Sequence, residues 1–286
     1  MKISVASGKG GTGKTMISVN LSAYLSSLGK DVLYCDCDVE EPNGHLFLKP
    51  EISKVEEFFT QIPEVNEEKC TLCGKCEEIC QFNAITIVGD KVLVFNDLCH
   101  SCGGCWLVCP TSAIKNIDDK AGDIYYGKSG KILFRSGSQK VGKSSPTELV
   151  AAVKDSAESI PDFQGTIFFD SPPGATCPVV ETLSNTDYTI LVTEPTPFGL
   201  NDLKIAVDLT KKMNLKFGVV INRSTFEFRE MDNFLKSENI TILGKIPDDR
   251  KIASVISEGK IVVDELPEVK SYYKDIYENM IKEMEK

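Results

Sequence analysis

No stretch of this sequence approaches the roughly 20 uninterrupted apolar residues that a membrane span needs. The N-terminus runs from Lys2 straight into a strand-like segment with no signal-peptide pattern. These absences lead us to expect a cytoplasmic protein without stable membrane association. Basic charge is also in short supply: 32 Lys and Arg against 42 Asp and Glu leave a formal charge of −10. Neutralising nucleic-acid phosphates takes clustered cations, so no nucleic-acid partner is expected. What is present is ordinary for a globular chain, with 42% hydrophobic residues among 286, enough for a real core.

Strand-like apolar runs at 2–7, 31–36, 166–170, 188–193, 217–222 and 240–246 alternate with helical patterns such as 14–28 and 200–213. That alternation reads as an α/β fold with a mostly parallel sheet. The segment from Pro42 to Gly165 interrupts it and reads as an insertion. Its centre holds a repeat of 29 residues, in which Cys70, Cys73, Cys76 and Cys80 recur as Cys99, Cys102, Cys105 and Cys109. After the repeat, Ile124–Tyr126 and Lys131–Arg135 flank a Gly127–Gly130 turn as an expected hairpin, and a helix over 146–158 leads back to the sheet. The expected division is 1–61 and 118–286 for the main domain, with 62–117 as the insert.

Gly8-Lys9-Gly10-Gly11-Thr12-Gly13-Lys14-Thr15 satisfies the G-x-x-x-x-G-K-[ST] phosphate loop, directly after a strand and before a helix. Glycines let backbone N–H groups approach the phosphates, Lys14 reaches the β- and γ-phosphates, and Thr15 offers its hydroxyl to Mg²⁺. The extra Lys9 makes this loop resemble the deviant Walker A loop of MinD/ParA-type ATPases, a group that includes the nitrogenase iron protein. The resemblance implies an ATP-dependent homodimer in which Lys9 reaches the partner's nucleotide. Met16 departs from the hydroxyl residue common in that family. By the same resemblance, Asp38 orients the attacking water, Asp36 supports the Mg²⁺ shell, Asp170 holds a Mg²⁺-bound water and the Gly174 amide senses the γ-phosphate. Asn222-Arg223 falls where the family reads the adenine edge, and Pro247-Asp248 where a loop packs on the base. No N-K-x-D guanine motif occurs, so ATP is favoured over GTP.

Each half of the cysteine repeat reads C-x2-C-x2-C-x3-C, the spacing of bacterial two-cluster ferredoxins. In that pattern three ligands wrap one cubane and the fourth reaches the other. Cys70, Cys73, Cys76 and Cys109 are therefore assigned to one [4Fe–4S] cluster, and Cys99, Cys102, Cys105 and Cys80 to the second. Zinc knuckles, the alternative, do not need a third and fourth cysteine at this spacing. Gln81 replaces the usual proline after Cys80, which is no ligand. Together the two resemblances point to a P-loop NTPase carrying a bacterial-type ferredoxin module, expected to hydrolyse ATP and exchange electrons with an unidentified redox partner. A spatial-positioning ATPase and an iron–sulfur carrier are the rivals. No cysteine follows Cys177, which counts against a carrier with a C-terminal C-x-x-C.

Other residues carry blander expectations. Cys35 and Cys37 share one strand face and read as core. His45 reads as a loop residue and His100 as solvent-facing beside a ligand. Cys177 lies seven residues after Asp170, the spacing at which the nitrogenase iron protein places a ligand of its dimer-bridging cluster, yet it reads first as a small buried residue coupled to the second switch. The apolar stripe from Val269 to Met284 is expected to pack on the sheet.

Overall fold

The computed structural model describes residues 1–286. Its strands are β1 (Lys2–Ala6), β2 (Val32–Asp36), β3 (Glu51–Val65), β4 (Ile85–Val88), β5 (Lys91–Val94), β6 (Ile114–Ser129), β7 (Ile132–Gln139), β8 (Thr166–Asp170), β9 (Tyr188–Thr193), β10 (Phe217–Ile221) and β11 (Ile242–Lys245). Nine of them form one sheet in the order β11-β10-β9-β1-β8-β2-β7-β6-β3, and β4-β5 is a separate hairpin. From β11 to β7 every pairing is parallel, whereas β7-β6 and β6-β3 are antiparallel. Strands β2, β8 and β9 are buried along their whole length. Burial on both faces is why these runs read as continuous apolar stretches rather than alternating ones.

The helices are α1 (Lys14–Ser27), α2 (Gly44–Leu48), α3 (Lys75–Ile79), α4 (Gly104–Leu107), α5 (Pro146–Glu158), α6 (Cys177–Leu183), α7 (Pro197–Lys212), α8 (Arg229–Ser237), α9 (Arg250–Ser257), α10 (Val262–Glu265) and α11 (Lys270–Met284). Helices α1, α9, α10 and α11 share one core with the sheet. On the other face α6, α7 and α8 build a second core and α5 a third, the latter around Cys35, Cys37 and Phe169. The result is a three-layer α/β arrangement. Tyr273, Ile276 and Met280 of α11 are buried in the first core, as the stripe leads one to expect. No helix is long and apolar enough to cross a membrane.

The insert is where sequence and structure part. Strand β3 was not expected, because residues 51–59 are almost all exposed and show no core-facing alternation. It forms through its register with β6, from Glu51 opposite Lys128 to Val65 opposite Ile114. The borders expected at 61/62 and 117/118 fall inside these two strands. The β6-β7 turn is also tighter than expected: Ser129 pairs with Ile132, so Gly130 and Lys131 make the turn and Gly127 lies within the strand. A Cβ on Gly127 would come 2.7 Å from the Glu51 carbonyl oxygen, so the third strand itself accounts for that glycine. His45 sits in α2 rather than in a loop.

Candidate nucleotide site and cysteine-lined cavities

Residues 7–13 join β1 to α1, and β1 lies inside the sheet between β9 and β8. Two glycines of this loop are set by close approach. A Cβ on Gly8 would meet the Asp202 carbonyl oxygen at 2.1 Å, and one on Gly13, at φ +95°, would meet Asn222 Nδ2 at 2.3 Å. Asn222 donates from that amide to the Thr12 carbonyl at 2.8 Å, which ties the end of β10 to the loop. No side chain caps the start of α1, leaving its first N–H groups to an anion. Lys9 is half-buried and enters none of the chain's ion pairs.

Lys14 is buried, and burial lowers its pKa against the opposing pull of Asp170, Asp38 and Asp36. The three carboxylates differ in what they hold. Asp36 is spent on its own loop: Oδ1 accepts from the Asp38 N–H at 3.2 Å, and Oδ2 from the Asn43 and Gly44 N–H groups at 3.0 and 2.8 Å. Asp170 accepts the Tyr34 hydroxyl on Oδ2 at 2.8 Å, while Oδ1 is buried without a hydrogen-bond partner. Burial raises its pKa; Lys14, and the nearby Thr15 and Ser18 hydroxyls short of a bond of ordinary geometry, oppose the shift. Asp38 is half-buried, and desolvation lifts it to about 6. The Gly174 N–H, expected to face a phosphate, donates instead to the Ser7 carbonyl at 3.0 Å.

A buried carboxylate oxygen with no partner costs free energy unless something completes it. Asp170 Oδ1 and the equally orphaned Thr12 Oγ1 both suit a hydrated Mg²⁺ and phosphate oxygens. Beside them lies a cavity of about 250 Å³ lined by Gly13, Met16, Asn222, Arg223, Pro247 and Asp248, together with Ile252 and Ala253 of α9. The four positions expected at the base do converge here. Sequence reasoning missed Ile252, Ala253 and Ile256, although the marked amphipathicity of α9 was a usable signal. Met16 is also a core residue, its sulfur accepting the Tyr273 hydroxyl at 2.7 Å.

The cysteine repeat folds as two copies of one local structure. Positive φ recurs at the 29-residue offset: Leu72 and Ser101 both at 52°, Gly74 and Gly103 both at 79°, Asn83 at 53° and Ser112 at 50°. The Ala84 N–H donates to Cys80 Sγ at 3.3 Å, and the Ala113 N–H to Cys109 Sγ at 3.2 Å. All eleven cysteines are free. One cavity is lined by Cys70, Cys73, Cys76 and Cys109. Another is lined by Cys99, Cys102, Cys105 and Cys80. Each takes three cysteines from one copy and the fourth from the other. Nowhere do three or more His, Cys, Asp or Glu side chains gather closely enough to hold a single metal ion. A cubane differs, because its four thiolates surround a four-iron core instead of meeting at one atom. His100 is exposed and stacks on Phe82, ring centroids 3.8 Å apart. Cys177 is not buried as expected: it opens α6, whose core-facing residues are Pro178, Val179, Thr182 and Leu183, and is itself exposed.

A phosphate loop at the end of an inner parallel strand, with acidic strand ends beside it, defines a P-loop nucleotide-binding protein. Residues 3–263 match the CobQ/CobB/MinD/ParA nucleotide binding domain, and the chain belongs to that family. An uncharacterized protein of Methanocaldococcus jannaschii is 34% identical over 281 residues, covering 98% of this chain and 96% of its own length. The iron-sulfur cluster carrier protein of the same organism is 50% identical over only 42 residues, 15% of this chain and 14% of its own. Among solved structures, the septum site-determining protein MinD of Pyrococcus horikoshii, complexed with Mg-ADP, aligns with a TM-score of 0.56 at 22% identity, over 97% of this chain and 94% of that one. At that identity the likeness speaks for the fold.

Proposed function

We propose that this chain binds and hydrolyses ATP with Mg²⁺ as a nucleotide-dependent homodimer, and couples that cycle to two [4Fe–4S] clusters that exchange electrons with a partner redox protein. The observation that carries the cluster half is the three-plus-one sharing of both cysteine-lined cavities between the repeat halves. Cys70, Cys73, Cys76 and Cys109 would hold one cluster, and Cys99, Cys102, Cys105 and Cys80 the other. Such groups supply one-electron transfer.

In the nucleotide half, the amides of Gly8, Gly10, Gly11, Thr12 and Gly13 would cradle phosphates, Lys14 would neutralise their charge, Thr15 would offer its hydroxyl to Mg²⁺ and Asp170 would hold a Mg²⁺-bound water. Asp38 orients the attacking water. Asn222, Arg223, Pro247 and Asp248 receive the adenine. Lys9, free of any ion pair in its own chain, serves the nucleotide of the second protomer. The γ-phosphate competes with the Ser7 carbonyl for the Gly174 N–H, so nucleotide binding and a shift of the loop after β8 occur together.

The test is thermodynamic. If ATP binding differs by about 3 kcal/mol between redox states, the one-electron potential shifts by roughly 130 mV, from 59 mV per decade. By linkage, a nucleotide that lowers the potential binds the oxidised protein more tightly. EPR-monitored titrations with and without a non-hydrolysable analogue measure the shift. Potentials agreeing within about 10 mV, or roughly 0.2 kcal/mol, remove the basis for ATP-gated transfer. That result would favour a spatial-positioning ATPase with redox-sensing clusters, a reading supported by the full-length fold likeness to a septum-site protein. Ready cluster donation to an apo-protein would instead revive the carrier reading.

A further inference from the structure

The insert touches the ATPase body through more than the strands that carry it. Strand β7 runs parallel to β2, and its last residue, Gln139, donates its backbone N–H to the Val39 carbonyl at 2.7 Å. Val39 is the residue after Asp38. The Gln139 side-chain amide then donates to the Lys143 carbonyl, folding the 140–145 loop back on the strand end. From that loop the Lys143 ammonium reaches Asp119 of β6 at 2.6 Å and Asp97 of the cysteine module at 3.0 Å. The Ser144 hydroxyl donates to the Asp97 carbonyl at 2.7 Å. Asp97 lies two residues before Cys99, in the 3-10 turn Asn96–Leu98 whose Asn96 carbonyl accepts the Cys99 N–H at 3.2 Å. An unbroken series of hydrogen bonds thus runs from the loop carrying Asp38 to the loop carrying Cys99.

The two ends of this series differ in strength. Lys143 is only 10% exposed and is held by two carboxylates, whereas the Asp97 side chain is 73% exposed. The exposed pair alone would be worth little. The Ser144 bond and the second carboxylate make the Lys143 position well determined, and Asp97 is the end able to let go. No ion pair makes a comparable link to the other cavity, because none joins Cys70–Cys80 or its flanking loops to the ATPase body.

We infer that Lys143 is a positioning residue that couples the Asp38 loop to the second cysteine-lined site, the one formed by Cys99, Cys102, Cys105 and Cys80, and leaves the first site largely uncoupled. The inference rests on the proposed linkage of nucleotide and cluster, but its mechanical part stands apart from electron transfer. Spatial continuity alone does not demonstrate coupling, so the experiment measures it directly.

Hydrogen exchange of the anaerobically purified full chain is followed in segments 38–44, 66–80 and 94–100, with and without Mg²⁺ and a non-hydrolysable ATP analogue. In the wild type the analogue changes exchange in 94–100 by roughly two- to thirtyfold, the range such couplings span, and changes 66–80 less. Lys143→Met abolishes the response in 94–100 and keeps the one in 38–44, while Lys143→Arg restores it. Asp97→Asn, at an exposed position that leaves folding intact, weakens the response in the same direction. A wild type whose 94–100 segment ignores nucleotide, or variants that respond like wild type, overturns the inference. Potentiometry on the same samples separates the two claims: a coupled 94–100 segment with nucleotide-independent potentials sinks ATP-gated transfer and leaves the Lys143 link standing.

Discussion

Tyr34 donates its hydroxyl to Asp170 Oδ2 at 2.8 Å, and this bond leaves the opposite carboxylate oxygen buried and unpartnered toward the phosphate loop. Tyr34 also stacks on Phe134, ring centroids 5.9 Å apart, so the ring that orients Asp170 is itself held by β7. Tyr34→Phe keeps the packing and removes the hydrogen bond that the Asp170 carboxylate accepts from Tyr34. Thermal unfolding should show a loss of about 1–3 kcal/mol, the cost of stranding a buried acceptor. A variant as stable as the wild type, with unchanged Mg²⁺-nucleotide affinity, would show that Asp170 is oriented by other means.

The two loop lysines should separate cleanly. Lys14→Ala is expected to abolish ATP binding, whereas Lys9→Ala should bind ATP yet lose nucleotide-dependent dimerisation and hydrolysis. Light scattering with a trapped nucleotide reads the difference. Undiminished dimerisation of Lys9→Ala would rule out a role in trans.

Asn222→Ala removes the donor to the Thr12 carbonyl and one wall of the base cavity. Affinity for ATP should fall about tenfold, corresponding to a hydrogen bond or two at roughly 1 kcal/mol each. Discrimination against GTP should narrow as well. Calorimetry with both nucleotides measures each effect, and an intact ATP/GTP ratio would remove Asn222 from base recognition.

Burial raises the Asp38 carboxyl to about 6, above its unfolded value of 3.8. Between those values the native state binds more protons than the unfolded chain, so this group's contribution to stability is greatest at low pH and is lost as pH rises through about 6. Asp38→Asn should flatten the stability slope between pH 4 and 6 in the nucleotide-free protein. It should also cut hydrolysis sharply while ATP still binds. An unchanged slope would place the titration elsewhere.

Anaerobically purified protein should carry about eight irons and eight acid-labile sulfides. Cys109→Ser should damage the cluster otherwise held by Cys70, Cys73 and Cys76 and spare the other, a difference EPR resolves. Stoichiometric zinc after anaerobic cluster reconstitution would overturn the assignment.

The α/β alternation, the phosphate loop and the cysteine spacing within each repeat copy were legible because each is local. The Gly8–Thr15 loop needs eight consecutive residues, and two-residue gaps repeat the same backbone turns at Leu72 and Ser101. The buried central strands announced themselves by composition, having no solvent face to alternate with. Strand β3 stayed hidden for the opposite reason, since a mostly exposed segment acquires its conformation from the partner it pairs with.

By itself the sequence determined the chemistry available to this protein: a phosphate-binding loop, acidic strand ends and eight thiols at ligand spacing. Such features follow from residue type and short-range chain geometry. Tertiary structure decided how those parts are used. Asp36 is engaged by the Asn43 and Gly44 amides while Asp170 keeps a free oxygen, and the Gly174 N–H is held by Ser7. Lys143 meets Asp97 across 46 residues of sequence. Such contacts depend on which segments the sheet brings side by side, and β7 pairs with β2 at positions as distant as Leu33 and Leu133, a long-range choice that no local pattern encodes.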